Sequence, residues 1–292
     1  MKIIFWFIFL KYTSGYSFIS ETTTVLRFSF CLFIPLLLLI VSPIAVASSQ
    51  LVKKHSSYGE PLIVHSYKFY DKTRNRILPV TVYVSRSPLK ETKSHPLPVV
   101  IINHGYGVKN TEYSFLAKLL AARGYYVASI QHDLKTDPPL ARTGDLFVRR
   151  KPLWKRGVLN ILFVMHALHR VEPNLDLNKV ILIGHSNGGD IAMLFAKEHP
   201  QLVQKLISLD SLRMPFPLSG TSPILSLRAN DTQADKGVLP DKMKAKHLGI
   251  EIIKLENAKH IDLCDRGSRE TQQKINQLIA QFLNSAGGGG AF

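Results

Sequence analysis

The stretch ILIGHSNGGDIA (Ile181–Ala192) sets Ser186 among Gly184, His185, Asn187, Gly188 and Gly189, between an apolar run and an apolar helical pattern. Glycine weakens strands and helices alike. Its repetition there implies a backbone demand: a tight, strained turn that exposes the Ser186 hydroxyl. A serine hydroxyl is a poor nucleophile until a neighbouring base takes its proton. Imidazole suits that task near neutral pH, and a carboxylate behind it fixes the tautomer and stabilises the imidazolium. Both partners lie downstream. ANDTQAD carries Asp231 and NAKH ends on His260, so the chain order is Ser, Asp, His.

These groups need a scaffold. PLIVHSYKFY and PVTVYVS alternate apolar and polar residues, as half-exposed edge strands do. LPVVIIN, YYVASI, KVILIG, KLISLD, PILSLRA and IEIIKLE are nearly continuous apolar runs, which suit strands buried on both faces of a parallel sheet. Helical patterns lie among them: EYSFLAKLLAARG, closed by Gly124; RGVLNILFVMHALHRV; GGDIAMLFAKEHP, stopped by Pro200; DKMKAKHLG; and SRETQQKINQLIAQFLNS, with Ser268 and Thr271 as candidate caps. That alternation predicts an α/β fold with eight strands, mostly parallel, helices on both faces and an antiparallel N-terminal edge. Ligands of open α/β sheets sit beyond the strand C-termini. NHGYG (Asn103–Gly107), GHSNGG, ANDTQAD and NAKH each follow a strand.

Gly184-His185-Ser186-Asn187-Gly188 matches the G-x-S-x-G nucleophile elbow, and the chain from about Leu62 to Leu283 resembles the α/β-hydrolase superfamily. NHGYG followed by YSFLAKLLAARGYYV looks most like dienelactone-hydrolase and platelet-activating-factor-acetylhydrolase-like esterases, and somewhat like secreted bacterial polyester hydrolases. The resemblance implies Ser186 as nucleophile, His260 as base and Asp231 as acid. Asp235 and Asp210 remain alternative carboxylates. It also implies an oxyanion hole from the main-chain N–H groups of Asn187 and Tyr106. An acid is common in these relatives where Asn160 stands. His104 reads as an organiser behind the oxyanion loop, and His132 and Asp133 as candidate pocket residues. His166 and His169 read as a plain helix face.

The expected activity is carboxylic ester hydrolysis through an acyl-enzyme, on a small-molecule or lipid-like ester. A peptidase or amidase would use the same three residues, and a non-catalytic binding protein on the same scaffold is the remaining alternative. The stretch Asp210–Pro223 is too short for a large lid, so an open site for short or projecting esters is expected. Specificity is expected in the loop His132–Trp154. No metal, nucleotide or nucleic-acid motif accompanies these residues, so no cofactor is predicted.

With 292 residues, 46% of them apolar, the chain can bury roughly three quarters of its unfolded surface in one large domain. Residues 1–47 read differently. Arg27, a long apolar run and Ala45-Val46-Ala47 form a secretory-signal pattern, with cleavage expected after Ala47 and export to periplasm or medium. An uncleaved membrane anchor is the alternative. The residues ahead of that signal suggest a start near Val25 or Leu26, or a first membrane segment. The single domain then spans 48–285, and 286–292 is a Gly-rich flexible tail. Cys31 falls in the signal, so Cys264 stands alone and cannot form an internal disulfide. Removing residues 1–47 takes away Lys2, Lys11, Arg27 and Glu21 and leaves a net charge of +14. That sign favours anionic partners, an acidic membrane surface, lipopolysaccharide or nucleic acid, with a plain solvated surface as the alternative reading. The oligomeric state is left open.

Overall fold

The computed structural model describes residues 61–86, 96–219 and 222–285. All fall in one unit, Lys53–Phe292. The signal pattern and the Gly-rich tail lie outside the described residues.

Eight strands form one sheet: β1 (Leu62–Asp71), β2 (Arg76–Ser85), β3 (Leu97–Asn103), β4 (Tyr126–Ile130), β5 (Leu175–His185), β6 (Val203–Leu209), β7 (Ile224–Arg228) and β8 (Ile250–Lys254). Their order is β1-β2-β4-β3-β5-β6-β7-β8. β1 and β2 pair antiparallel and β2 joins β4 antiparallel; every other neighbour is parallel. The helices are α1 (Ser114–Ala122), α2 (Leu146–Val171), α3 (Asn187–Glu198), α4 (Lys242–His247) and α5 (Arg269–Asn284).

Period-two alternation along the buried strands feeds two cores. Val99 and Ile101 of β3 and Leu182 of β5 face Trp154, Ile161, Val164, Leu168 and Phe195 of α2 and α3. Val100 and Ile102, with Ile181 and Ile183, face Leu116, Leu120, Ile275, Ile279 and Phe282 of α1 and α5. Each such side chain, fully buried, contributes about 1.5–3 kcal/mol. With both faces of the central strands covered, their C-terminal ends are where side chains can meet a ligand.

The helix ends follow local chemistry. Gly124 takes a φ of 88° after α1, a conformation that only glycine adopts without strain. Ser268 caps α5 by accepting from the N–H of Thr271. One boundary differs from the sequence reading. α2 starts at Leu146, ten residues before the apolar pattern RGVLNILFVMHALHRV begins. Pro152 argues against a helix there, because it lacks an N–H donor. Asp145 overrides it: its side chain accepts from the N–H of Val148 and starts the helix. The expected specificity loop His132–Trp154 is therefore loop only as far as Asp145, and two turns of helix after that.

Candidate active site

Ser186 is the hinge between β5 and α3. Its φ of 53° and ψ of −120° lie where non-glycine residues are rarely found. The neighbouring strand holds the turn: the N–H of Ser186 donates to the carbonyl of Leu209 at 2.9 Å. Glycine is required beside it. A Cβ on Gly188 would lie 2.2 Å from the carbonyl oxygen of Asn103, and one on Gly184 would lie 2.4 Å from that of Gly188. A Cβ on Gly105 would come within 3.4 Å of Ser186 Cβ, so the NHGYG loop lies directly against the serine.

His260 opens a short 3-10 turn after β8. Its Nε2 is 2.8 Å from Ser186 Oγ, and its Nδ1 is 2.6 Å from a carboxylate oxygen of Asp210. A carboxylate only accepts, so Nδ1 carries the proton and Nε2 is free to accept the serine's. This corrects the expectation for Asp231. Asp231 instead accepts the main-chain N–H of His260 at 2.6 Å, and so fixes the loop rather than the ring. The reason is register. His185 pairs with Leu209 across β5 and β6, so the residue after Leu209 stands one strand from the serine. Asp231 follows β7, a strand further out. Asp235, the other alternative, pairs with Arg213 at 3.0 Å.

Two residues that the sequence did not single out complete this carboxylate. Arg228 at the end of β7 pairs with Asp210 at 2.8 Å, and the Thr232 hydroxyl donates to it. Burial alone would raise the pKa of Asp210; the bond from His260, the Arg228 charge and Thr232 outweigh it and hold the carboxyl below its ordinary value. Asp210 is thus ionised at neutral pH although it is fully buried.

The NHGYG loop and the His260 loop are joined through His185. Its Nε2 lies 2.9 Å from the carbonyl of His260, and its Nδ1 lies 2.8 Å from the Tyr113 hydroxyl. Burial, with the nearby His260, pushes the pKa of His185 down to about 3, so the ring is neutral. A carbonyl accepts, hence Nε2 donates and Nδ1 accepts from Tyr113. The Tyr113 oxygen in turn accepts the N–H of Gly105 at 2.9 Å. Asn187 and Tyr106, the expected oxyanion donors, flank this arrangement. Asn187 is the first residue of α3, where helix N–H groups lack intrahelical acceptors. Its side-chain oxygen accepts from Trp154 Nε1 at 2.8 Å. Among the described residues the N–H of Tyr106 meets no acceptor, and its hydroxyl accepts from the N–H of Leu140 at 3.2 Å.

Residues 98–228 match the family described as the alpha/beta hydrolase fold. A dienelactone hydrolase from Anabaena variabilis superposes with a TM-score of 0.50 at 15% identity, over 75% of this chain and 97% of that one. A ferulic acid esterase from Streptomyces cinnamoneus gives 0.54 at 19% identity, over 77% and 84%. The chain has the α/β-hydrolase fold. At those identities the structural likeness speaks for the fold alone. In sequence, the chain is 28% identical to platelet-activating factor acetylhydrolase of Cavia porcellus over 141 residues, 35% of this chain and 32% of that protein. It spans about a third or less of the length of the curated relatives it matches.

His104 and His132 are structural. His104 is buried behind the oxyanion-side loop, with Nδ1 2.7 Å from the carbonyl of Gly105 and Nε2 accepting the N–H of His132 at 2.8 Å. His132 does not line a pocket, contrary to expectation. It is 2% exposed, bonded to Asn103 Oδ1 at 2.9 Å and Asn160 Nδ2 at 3.3 Å. Burial holds its pKa well below the usual imidazole value. Asn160 suits its buried place because its amide both donates to His132 and accepts from Arg74 at 2.8 Å. Asp133 faces Arg156 at 3.6 Å rather than the serine.

After β6 the chain has no helix from Ser211 to Ser219. That stretch is held down by Asp190 of α3, whose carboxylate accepts the N–H groups of Arg213 at 3.0 Å and Met214 at 2.9 Å. Burial raises Asp190 to a pKa of about 6, although both N–H groups oppose the rise. The sign of the pH effect follows. Above pH 6 the carboxylate is ionised in folded and unfolded chains alike, and the fold carries the full penalty. Below the unfolded value of 3.8 both forms are protonated and the penalty is gone. Asp190→Asn, which keeps an accepting oxygen, is therefore expected to be more stable than wild type at pH 8. That advantage should shrink by on the order of 2 kcal/mol by pH 4. Urea unfolding of both proteins at the two pH values checks this; a gap independent of pH would refute it.

Proposed function

We propose that this protein is an exported serine hydrolase that cleaves carboxylic esters through an acyl-enzyme. The observation that carries the reading is the unbroken line Ser186 Oγ, His260 Nε2, His260 Nδ1 and Asp210, with contacts of 2.8 and 2.6 Å. The hydroxyl oxygen of Ser186 attacks the ester carbonyl carbon while its proton passes to His260 Nε2. The tetrahedral oxyanion is met by the main-chain N–H groups of Asn187 and Tyr106, each contributing about 3–4 kcal/mol to the transition state. Collapse breaks the bond to the alcohol oxygen, which takes the proton from His260. Water then gives a proton to Nε2 and attacks the acyl carbon, releasing the acid and restoring Ser186. Asp210 stays ionised and holds the imidazolium in place. The secretory-signal pattern of residues 1–47 supports export, and the net charge of +14 without them supports contact with an anionic surface.

A fluorophosphonate probe is expected to label the wild type at one site and to leave Ser186→Ala unlabelled. Ser186→Ala should also lose at least 10³-fold in kcat on short p-nitrophenyl esters. Matched ester and amide substrates separate an esterase from an amidase. Labelling retained in Ser186→Ala, or amide cleavage as fast as that of the matched ester, would overturn the reading.

A further inference from the structure

A cavity of about 610 Å³ lies between the loop after β4 and the first turns of α2, within the usual size of small-molecule sites. Its charged lining is entirely arginine: Arg142, Arg149, Arg150 and Arg156, with Pro138 and Leu140 among the apolar walls. We propose that this cavity binds an anionic group, a carboxylate or phosphate, carried by the ester substrate. The inference rests on the esterase reading only for the ligand's being an ester.

Three observations carry it. The first is an excess of positive charge over the carboxylates that reach it. Carboxylates reach only Arg156, from Asp137 at 3.2 Å and Asp133 at 3.6 Å. Arg150 has only the carbonyl of Ala141, and Arg149 the carbonyl and hydroxyl of Thr143. Among the described residues Arg142 makes no hydrogen bond or ion pair. Burial, together with the like charges of Arg213 and Arg142, holds Arg150 below the usual guanidinium range against the opposing pull of Asp190 and Asp235. Arg142 and Arg149 are exposed, open to an incoming ligand, and a bound anion relieves the crowding at Arg150. The second is chemistry: guanidinium forks match the planar oxygens of carboxylate and phosphate, two N–H groups to two oxygens.

The third is position. Two hydrogen bonds tie the cavity wall to the expected oxyanion donors. Leu140, in the wall, donates to the Tyr106 hydroxyl, and Trp154, just after the wall residue Leu153, donates to the Asn187 side chain. On this proposal the charged arm of an ester bound at Ser186 runs past Tyr106 toward the wall at Leu140. The physical consequence is selectivity through the remote group. Binding energy gained at the arginines orients the ester at the serine, so it shows in kcat/KM.

The test compares p-nitrophenyl hemisuccinate with p-nitrophenyl butyrate, which are close in size and differ in charge. Wild-type kcat/KM is expected to be at least 10-fold higher for the hemisuccinate. Arg142→Gln/Arg149→Gln should erase that ratio. Lys118→Gln/Lys246→Gln removes the same charge at exposed positions outside the cavity and should preserve it. A wild-type ratio near one, or an equal fall in both double variants, overturns the cavity proposal and leaves the serine chemistry standing. Calorimetric binding of monomethyl succinate to Ser186→Ala, lost in Ser186→Ala/Arg142→Gln/Arg149→Gln, reads the cavity without turnover. If wild type cleaves neither ester, the esterase reading falls and this titration still decides the cavity. No binding there overturns the proposal.

Discussion

Asp210→Asn is expected to lower kcat by about 10⁴-fold, while Asp231→Asn costs less than 10-fold. The two acids hold the same histidine in different ways. Asp210 accepts from the ring Nδ1 and sets which nitrogen is free for Ser186. An amide there can donate to Nδ1 and so turn the imidazole to the wrong tautomer. It also removes the charge that steadies the imidazolium. Asp231 accepts only a main-chain N–H, and asparagine at that position still offers an oxygen. Asp210→Asn has a second effect, since Arg228 is left buried without its carboxylate. Losing one partner of a buried pair costs about 3–5 kcal/mol. Kinetics are therefore measured well below the unfolding midpoint of the variant, beside thermal unfolding of both proteins. A large loss in Asp231→Asn with little in Asp210→Asn would reverse the assignment.

Gly188→Ala is expected to cost at least 100-fold in kcat and to lower stability. The added methyl would stand 2.2 Å from the Asn103 carbonyl oxygen and 2.5 Å from that of His104. Both are backbone atoms, so neither can swing aside. Relief requires α3 to move away from the end of β3 by about an ångström, which parts Ser186 and Asn187 from Tyr106. Misplacement on that scale costs about 10²-fold. Gly124→Ala is the control. Its φ of 88° makes any side chain strained, but a methyl there meets nothing within 4 Å and lies beyond α1, away from the serine. It should lose about 1–2 kcal/mol of stability with kcat unchanged. Equal kcat in Gly188→Ala and wild type would refute the close-approach argument.

Much of this architecture is written in short-range pattern. Short apolar runs rich in Val and Ile such as LPVVIIN and KVILIG suit strands covered on both sides, and helical patterns among them lead to a parallel sheet. Gly184 and Gly188 mark a turn that tolerates no side chain, so Ser186 stands out before any coordinate is known. His260 is legible because it stands in the short loop after an apolar run. The start of α2 is not, because one capping bond from Asp145 outweighs the signal of Pro152.

The identity of the acid could not be read along the chain. Asp210 and Asp231 both follow apolar strands, and spacing treats them alike. Sheet order decides between them: β6 lies beside β5, and β7 lies one strand beyond. The same holds for Arg228, Thr232 and Tyr113, which meet their partners only after distant segments pack. Local pattern determined which residues stand at strand ends, because pleat and turn are short-range properties of a polypeptide. Tertiary structure alone decided which of those ends are neighbours, because that depends on strand order and register across residues far apart in the chain.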